Sequence, residues 1–469
     1  MNATIPDALL REFSDFLARR MGVYFPPPRW ADMLRGIEKA APALGFRSVE
    51  ACLRGLMVSA LSRGQVEILA GHLCIGETYF FREPAVFGAL ENDILPPLIA
   101  SRRASERRLR IWSAGCCTGE EPYSMAILLT RLIPDLADWN LSLLGTDINP
   151  HFLAAAAHGA YRDWSFRGVP GRFREDYFDA VDGGRYRLAA RYRRLVTFDH
   201  LNLVDDVYPS VLNNTNAMDI VLCRNVLMYF DARTIEAVVR RLGRVVVEGG
   251  WLIVGPAELN ASLFADFEMV RLGDAILYRK GHAQPATPSS AGVPPPPVRT
   301  TSPEAAAARR SPYQSALACY EHGDYERVKA LLATAGGAGP PALALMARAC
   351  ANLGELAEAC HWCEAAVAAD KFDPGLRYLL AAVLEEAGRP EAAVATLRQA
   401  LYLDQDYILA HFALGTLHRR MGDAGRAARH YGNARHLLQA YPADAPLADA
   451  EGLTAGRLRE IIDATECIA

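Results

Sequence analysis

The chain has 469 residues, enough for about three domains; half of its residues are apolar and 22% are charged, as in folded proteins. A net charge of −4 predicts no general attraction to nucleic acid. No apolar run reaches the roughly 20 residues that span a bilayer, so no membrane insertion is expected. The N-terminus lacks the layout of a signal peptide, and the ten cysteines are scattered. We therefore expect a cytoplasmic protein with reduced thiols.

Residues 1–75 have the apolar spacing of helices. Leu9, Phe13 and Leu17 recur at intervals that place them on one helical face. The run Phe25-Pro-Pro-Pro28 is expected to break the first helix. A small helical domain packed on the next domain is the plainer interpretation, and a surface that docks the substrate is the alternative.

Residues 76–280 are predicted to form an α/β domain. Strands are predicted at 109–113, 141–147, 196–202, 219–223, 251–254 and 267–278. Helices are predicted between them, at 86–101, 122–136, 150–161 and 232–247. This alternation predicts a mostly parallel, doubly wound sheet of the Rossmann type, and the Gly-Asp break in the last segment predicts a closing hairpin.

The alternation of strands and helices is interrupted between residues 162 and 196, where we predict a small inserted β subdomain. Residues 185–188 and 191–195 both alternate in the manner of edge strands and carry several arginines. These charges either prevent aggregation through an exposed edge or meet an acidic partner; the sequence favours neither interpretation.

A glycine turn between the first predicted strand and its helix is the main candidate for ligand binding. Gly115 and Gly119 follow the strand, and Glu120 and Glu121 begin the helix. Strand, glycine turn and helix together are typical of nucleotide-binding sheets, although a purely structural turn has the same residues. Two carboxylates would repel a phosphate at a helix N-terminus. They suit a cationic ligand with hydroxyl groups, such as S-adenosylmethionine.

Polar residues follow three further predicted strands. Asp147 ends the second strand, where a carboxylate can accept hydrogen bonds from ribose hydroxyls. Asn202 and Leu203 follow the third strand, and the motif Cys223-Arg-Asn-Val-Leu-Met-Tyr229 follows the fourth. Because ligands bind at the carboxyl ends of parallel strands, these residues together favour a cofactor site. For Asn149, directly before Pro150, we instead expect a helix N-cap.

Residues 281–311 are rich in proline, alanine and serine, a composition that predicts an extended linker. Residues 312–440 then repeat with a period of 34, with glycines at Gly354, Gly388 and Gly422. Small residues keep the same period at Ala359, Ala393, Ala427, Ala366, Ala400 and Ala434. This period predicts an all-α array of tetratricopeptide repeats, which bind other proteins. A helical tail is expected at 441–469.

The motif Cys360-His-Trp-Cys363 lies inside one repeat. Such a pair can bind a metal or carry redox chemistry, but Cys363 falls on the predicted packing face and no second cysteine pair lies nearby. We expect a structural role, and we predict no metal site in the chain.

Taken together, these motifs resemble the chemotaxis-receptor glutamate methyltransferases of the CheR family over residues 5–280. The resemblance rests on Thr78-Tyr-Phe-Phe-Arg82, residues 113–124, Thr146-Asp-Ile148, Asn202-Leu203 and Cys223-Arg-Asn-Val-Leu-Met-Tyr-Phe230. They occur in the family's order and at similar spacing. The family implies an N-terminal helical domain, an α/β domain that binds S-adenosylmethionine, and an inserted β subdomain.

The resemblance also implies the site residues by matching position. The expected cofactor contacts are Thr78, Arg82, Glu120 or Glu121 (with Glu121 preferred), Asp147, Asn202, Leu203, Asn225 and Val226. Arg82 and Tyr229 are expected beside the transferred methyl group, which leaves S-adenosylhomocysteine as the product. At Gly76 the family often has an asparagine that helps to bind the cofactor, so one side-chain contact is expected to be missing here.

The implied reaction is methylation of glutamate side chains on the cytoplasmic helical region of a membrane chemoreceptor. The turn at 179–184 is short and resembles that of family members that bind no peptide tethered at the receptor's C-terminus. Some members carry tetratricopeptide repeats, and some act in pathways that control surface behaviour; the partner of the repeats is unknown. Methylation of another carboxylate or of a small molecule is the nearest alternative. The second alternative is a scaffold whose repeats bind a partner and whose α/β domain only senses the cofactor.

Overall fold

The structure is a computed structural model in which the described residues are 5–59, 61–211, 213–281, 311–334, 339–443, 445–450 and 453–467. Nearly all of the predicted linker lies outside them. The chain divides into two compact units, one formed chiefly by Met1–Tyr208 with Met218–Lys280, the other by Pro209–Ala217 with Gly281–Glu466. Among the described helices, none has both the length and the apolar character needed to cross a membrane.

The first unit begins with four helices, α1 (Asp7–Met21), α2 (Trp30–Ala40), α3 (Val49–Met57) and α4 (Arg63–Leu73). Their apolar faces meet in one core, in which Phe13 and Ile37 are fully buried. Helix α1 ends at Gly22, whose φ of 75° forms a left-handed cap. The prediction that the proline run breaks this helix was therefore wrong, because the glycine ends it earlier. The prolines instead begin the 3-10 turn Pro27–Arg29 that leads into α2.

The strands of the first unit form a large and a small sheet. They are β1 (Arg108–Ala114), β2 (Asn140–Asp147), β3 (Ala160–Tyr161), β4 (Phe178–Val181), β5 (Arg185–Leu188), β6 (Val196–His200), β7 (Met218–Cys223), β8 (Val246–Val254), β9 (Phe267–Leu272) and β10 (Ala275–Lys280). The large sheet has the order β6-β2-β1-β7-β8-β10-β9. Its first five members are parallel, and β9 and β10 form the antiparallel hairpin expected at the end of the domain.

Helices cover both faces of the large sheet, which confirms the doubly wound α/β class. The α-helices that follow α4 in this unit are α5 (Pro84–Ala89), α6 (Leu95–Arg103), α7 (Glu120–Leu132), α8 (Pro150–His158), α9 (Arg172–Tyr177), α10 (Ala190–Arg193) and α11 (Ala232–Val245). Alternate residues of β7 enter different cores: Ile220 joins the core that contains α7, and Val221 joins the core that contains α11. A strand buried on both faces reads as a continuous apolar run, which explains why these strands were visible in the sequence.

The inserted β subdomain has the strand order β3-β5-β4, so β5 is the central strand and not an edge. The partner that covers it, β3, has only two residues, too few to show an alternating pattern. The prediction of a strand at 191–195 was wrong, since Ala190–Arg193 is a helical turn. Tyr192 of that turn is buried and packs against the ring of Tyr177, with the centroids 5.5 Å apart.

The second unit contains the helix pairs of the predicted repeats. Its helices are Pro312–Glu321, Tyr325–Thr334, Pro340–Leu353, Leu356–Ala369, Pro374–Glu386, Pro390–Leu403, Ile408–Arg420, Ala424–Leu438 and Ala455–Cys467. Gly354, Gly388 and Gly422 follow the first helix of successive pairs with φ values of 83°, 72° and 81°. The six periodic alanines are buried where the helices pack. Both features confirm the tetratricopeptide array. Cys363 is buried within this array and is a free thiol.

Gly422→Ala tests whether the periodic glycines serve backbone conformation. A Cβ at this position meets nothing within 4 Å, so the change adds only the strain of a left-handed residue. We expect it to lower the free energy of unfolding by about 1 kcal/mol. Gly432→Ala is the matched control, since Gly432 lies inside the helix Ala424–Leu438 and is equally open. It should raise stability by about 0.5–1 kcal/mol. Urea unfolding of the full chain, followed by helical circular dichroism, measures both, and shifts of the same sign would contradict the assignment.

Candidate active site

A cavity lies at the carboxyl ends of β1, β2 and β7 in the first unit. All the predicted site residues except Glu120 line it, namely Thr78, Arg82, Glu121, Asp147, Asn202, Leu203, Asn225, Val226 and Tyr229. Parallel pairing aligns these strand ends: Ala114 lies opposite Thr146, and Ser113 lies opposite Leu222. The residues that follow each strand therefore meet at one edge of the sheet.

The glycines of the first turn are required by close packing of the chain itself. Gly115 has a φ of +81°, and a Cβ there would lie 2.4 Å from the side chain of Val226. Gly119 has a φ of +91°, and its Cβ would lie 2.8 Å from that of Ala156. Neither position tolerates a larger residue without movement. This turn can therefore bring β1 and the loop after β7 together at the cavity.

Asp147 is a buried carboxylate held by backbone donors. Its Oδ2 accepts a hydrogen bond from the N–H of Cys117, and its Oδ1 accepts one from the N–H of Asn149, each at 2.9 Å. Burial raises the pKa of Asp147 to about 6, and these N–H groups oppose the rise. Asn149 caps α8 by accepting the N–H of His151, as predicted. Asp147 is thus fixed with lone pairs available to hydroxyl groups in the cavity.

The two adjacent glutamates point to different places. Glu121 lines the cavity; its Oε1 accepts a hydrogen bond from the hydroxyl of Ser113 at 2.7 Å. Glu120 is 2% exposed and accepts the hydroxyls of Thr118 and Ser165 at 2.6 and 2.8 Å. Burial raises the pKa of Glu120. The structure therefore places Glu121, and not Glu120, where a ligand would contact it.

Asn202 lines the cavity, but its side chain is already hydrogen-bonded to backbone groups of the protein. Its Nδ2 donates to the carbonyl of Arg20 at 2.9 Å, and its Oδ1 accepts the N–H of Val204 at 3.2 Å. The side chain is thus occupied in shaping the loop after β6. Leu203 is 6% exposed and lines the same wall.

Asn225 differs from Asn202 in the hydrogen bonding of its side chain. It adopts a φ of +58°, and its side-chain oxygen is buried with no hydrogen-bond partner within the part of the chain that the structure describes. Its N–H donates to Glu258 at 2.8 Å, and Glu258 also accepts the N–H groups of Gly255 and Met228. Burial raises the pKa of Glu258. The sequence pointed to Asn225 but gave no signal for Glu258, which organises this loop from a distant segment.

Arg82 and Tyr229 both line the cavity near its helical side. A guanidinium nitrogen of Arg82 donates to the carbonyl of Glu77, and the N–H of Tyr24 donates to the carbonyl of Tyr229 at 2.8 Å. Burial raises the pKa of Tyr229, while the positive charges of Arg29 and Arg82 oppose the rise. Its hydroxyl is therefore a neutral donor at physiological pH. Arg29 also lines the cavity and was missed, because nothing near the proline run marks it as a site residue.

The residues at 76–81 differ in how they relate to the cavity. A Cβ at Gly76 would lie 2.6 Å from the ring of Phe152, which lines the cavity, so an asparagine does not fit without movement. Of the three aromatic residues at 79–81, Tyr79 alone lines the cavity. Phe80 is fully buried and packs on the rings of Phe166 and Phe178.

These groups fit a nucleoside with a cationic tail. Asp147 suits ribose hydroxyls, the unpartnered oxygen of Asn225 suits an amino group of a base, and the carboxylate of Glu121 suits a positive charge. The carboxylates on this wall would repel a phosphate. The fold and this donor set define the class of S-adenosylmethionine-dependent methyltransferases.

Comparison with known proteins identifies the family within this class of methyltransferases. Residues 76–275 match the family described as "CheR methyltransferase, SAM binding domain", and residues 374–407 match a tetratricopeptide repeat. A probable chemotaxis protein methyltransferase of Rhizobium etli is 37% identical over 193 residues, 40% of this chain and 70% of that protein. A probable biofilm formation methyltransferase WspC of Pseudomonas putida is 30% identical over 432 residues, 89% of this chain and 96% of that protein. The chain belongs to the CheR family of chemotaxis protein methyltransferases, and its cofactor is S-adenosylmethionine.

The pKa of Asp147 predicts how cofactor binding depends on pH. Hydroxyl donors stabilise the ionised carboxylate, so binding should release a proton wherever the free protein holds one. The association constant for S-adenosylhomocysteine should then rise with pH, by up to about tenfold per unit below pH 6, and level off above it. Titration calorimetry between pH 5 and 8 measures this profile. Asp147→Asn should bind more weakly with a flat profile; an equally steep profile in that variant would assign the proton to another group.

Proposed function

We propose that the protein methylates glutamate side-chain carboxylates on the cytoplasmic helical region of a membrane chemoreceptor. The observation that carries this proposal is that Arg29, Arg82 and Tyr229 line one cavity, where the positive charges of the two arginines act on the hydroxyl of Tyr229. Such a set of donors suits a substrate that carries a negative charge. The family match and the cofactor it implies support methyl transfer as the reaction.

The proposed mechanism needs alignment and not a general base. The side chain of a glutamate exposed to water has a pKa of about 4.3, so its carboxylate is already a nucleophile at neutral pH. When bound, the cofactor supplies a methyl group on a sulfonium and leaves as S-adenosylhomocysteine. A carboxylate oxygen forms the new O–C bond as the S–C bond breaks, the bonding electrons stay on sulfur, and two opposite charges are neutralised. The protein's task is therefore to hold the two groups in line and to exclude water.

Arg82 and Tyr229 have distinct roles in this scheme. The guanidinium of Arg82 draws the substrate carboxylate toward the methyl group, because a charged donor binds an anion more strongly than a neutral one does. The neutral hydroxyl of Tyr229 orients the second carboxylate oxygen. Glu121 and Asp147 hold the cofactor, with contacts from Thr78, Asn225 and Val226.

The repeat array is proposed to bind a protein partner in the same signalling pathway. The likeness to the Pseudomonas putida protein extends over 89% of this chain and therefore includes the repeats. That protein's name refers to biofilm formation, which supports a chemosensory pathway that controls surface behaviour. The short turn between β4 and β5, with Gly183 and Gly184 at φ values of 76° and 66°, supports receptor binding without a tethered peptide.

The direct test is to incubate the protein with S-adenosylmethionine labelled in its methyl group and with membranes that contain candidate receptors. A base-labile label on a receptor is the expected result, since a methyl ester hydrolyses in base. Label in a base-stable form would indicate another acceptor atom. No label despite cofactor binding would favour the alternative, in which the protein is a cofactor-sensing scaffold.

Arg82→Ala isolates the proposed catalytic contribution. The methyl-transfer rate at saturating cofactor should fall on the order of 100-fold, as for the loss of one charge-stabilising donor. Arg103→Ala is the control, because Arg103 forms an ion pair with Asp135 at 2.6 Å and does not line the cavity. It should transfer methyl groups at the unaltered rate. A folded Arg82→Ala protein with a near-normal rate would remove Arg82 from the mechanism.

A further inference from the structure

Arg224, which directly follows β7, forms hydrogen bonds both to Glu121 and to the loop that carries Arg82. Its side chain is 1% exposed. One terminal nitrogen donates to Glu121 at 2.9 Å. The other donates to the backbone carbonyl of Arg82 at 2.6 Å and to the carboxylate of Glu83 at 2.9 Å. Burial lowers the pKa of Arg224, but the two carboxylates more than offset this, so the guanidinium stays charged.

The loop that Arg224 holds is strained. Phe81 and Glu83 flank Arg82 and have φ values of 53° and 62°, a region that residues with side chains rarely adopt. Such a backbone persists only where its surroundings determine it. The N–H of Phe81 donates to the hydroxyl of Ser124 at 2.9 Å, and the bond from Arg224 to the carbonyl of Arg82 fixes the next residue.

We propose that Arg224 is a positioning residue for methyl transfer: it clamps the strained loop so that Arg82 faces the substrate, and it orients Glu121 toward the cofactor. This inference rests on the function proposed above. One side chain thereby sets the distance between the group that binds the substrate and the group that binds the cofactor. An error of about 1 Å in such an alignment can reduce a rate 100-fold.

The clamp requires arginine in particular. A guanidinium presents donors in a planar fork and can reach three acceptors in fixed directions. A lysine would keep the positive charge beside Glu83 and Glu121, but its single nitrogen cannot hold both carboxylates and the carbonyl of Arg82 in this geometry. Arg224→Lys therefore keeps the positive charge at this position and removes the arrangement of hydrogen bonds that the guanidinium makes.

The experiment compares Arg224→Lys with Arg102→Lys in the full chain. Arg102 forms a partly buried ion pair with Asp219 and does not line the cavity, so its replacement matches the chemical change without touching the site. Arg224→Lys should lower the single-turnover rate at saturating S-adenosylmethionine by about 100-fold. Its dissociation constant for S-adenosylhomocysteine should change less than about tenfold, since Asp147 and Asn225 remain. Arg102→Lys should change neither quantity.

A second readout does not depend on activity. Amide hydrogen exchange at residues 80–82 should accelerate in Arg224→Lys and stay unchanged in Arg102→Lys. If the wild-type protein transfers no label, the proposed function fails, while the exchange data still decide whether Arg224 clamps the loop. If the wild type is active and Arg224→Lys matches it in rate and exchange, the positioning role is overturned. Equal losses of rate and cofactor affinity, with no change in exchange, would also overturn it.

Glu83→Gln keeps the inference testable if Arg224→Lys fails to fold. The Glu83 side chain is 21% exposed, and the substitution removes its negative charge but leaves Arg224 its other two acceptors. The rate and the exchange at residues 80–82 should shift in the same directions as for Arg224→Lys, but by less. A Glu83→Gln protein with unaltered rate and exchange would contradict the clamp.

Discussion

The candidate site depends on the parallel pairing of β1 with β2 on one side and β7 on the other. This pairing brings the loops that follow the three strands to one edge of the sheet. The buried polar groups of each loop must find hydrogen-bond partners within the protein. Gly115 allows the loop after β1 to approach Val226 of the loop after β7 so closely that no side chain fits between them. The cavity is thus formed by loops that pack directly against one another.

Buried carboxylates do much of this fixing. Asp147 accepts two backbone N–H groups, and Glu258 accepts three, from Gly255, Asn225 and Met228. A buried charge without partners is costly, so each carboxylate dictates the conformation of the loop around it. Asn225 is held at a positive φ by this arrangement and keeps one oxygen unpartnered among the described residues. Strain and an unsatisfied acceptor are thus concentrated where a ligand is expected.

The sequence predicted the features that local physics controls. The central strands β1 and β7 were visible because both of their faces are buried, and the repeats because Gly354, Gly388 and Gly422 must adopt the same left-handed conformation. Asp147 and Asn225 could be placed because they follow predicted strands. Glu258, Arg29 and the contacts of Arg224 could not be, because each acts on a segment far away in sequence. The central place of β5 was missed for a related reason, since its outer neighbour has only two residues.

In the proposed function an acidic protein accepts an anionic substrate, and the charges close to the cavity bear on how it does so. The net charge of −4 and the carboxylates of Asp147, Glu121 and Glu258 would together repel a glutamate. Arg224 is paired with Glu121 and Glu83, which reduces the negative potential around these two carboxylates. Arg29 and Arg82, which also line the cavity, contribute positive potential at the short range where screening by salt is weakest. Both signs of charge are therefore present at the cavity, as the proposed reaction between a cationic cofactor and a carboxylate requires.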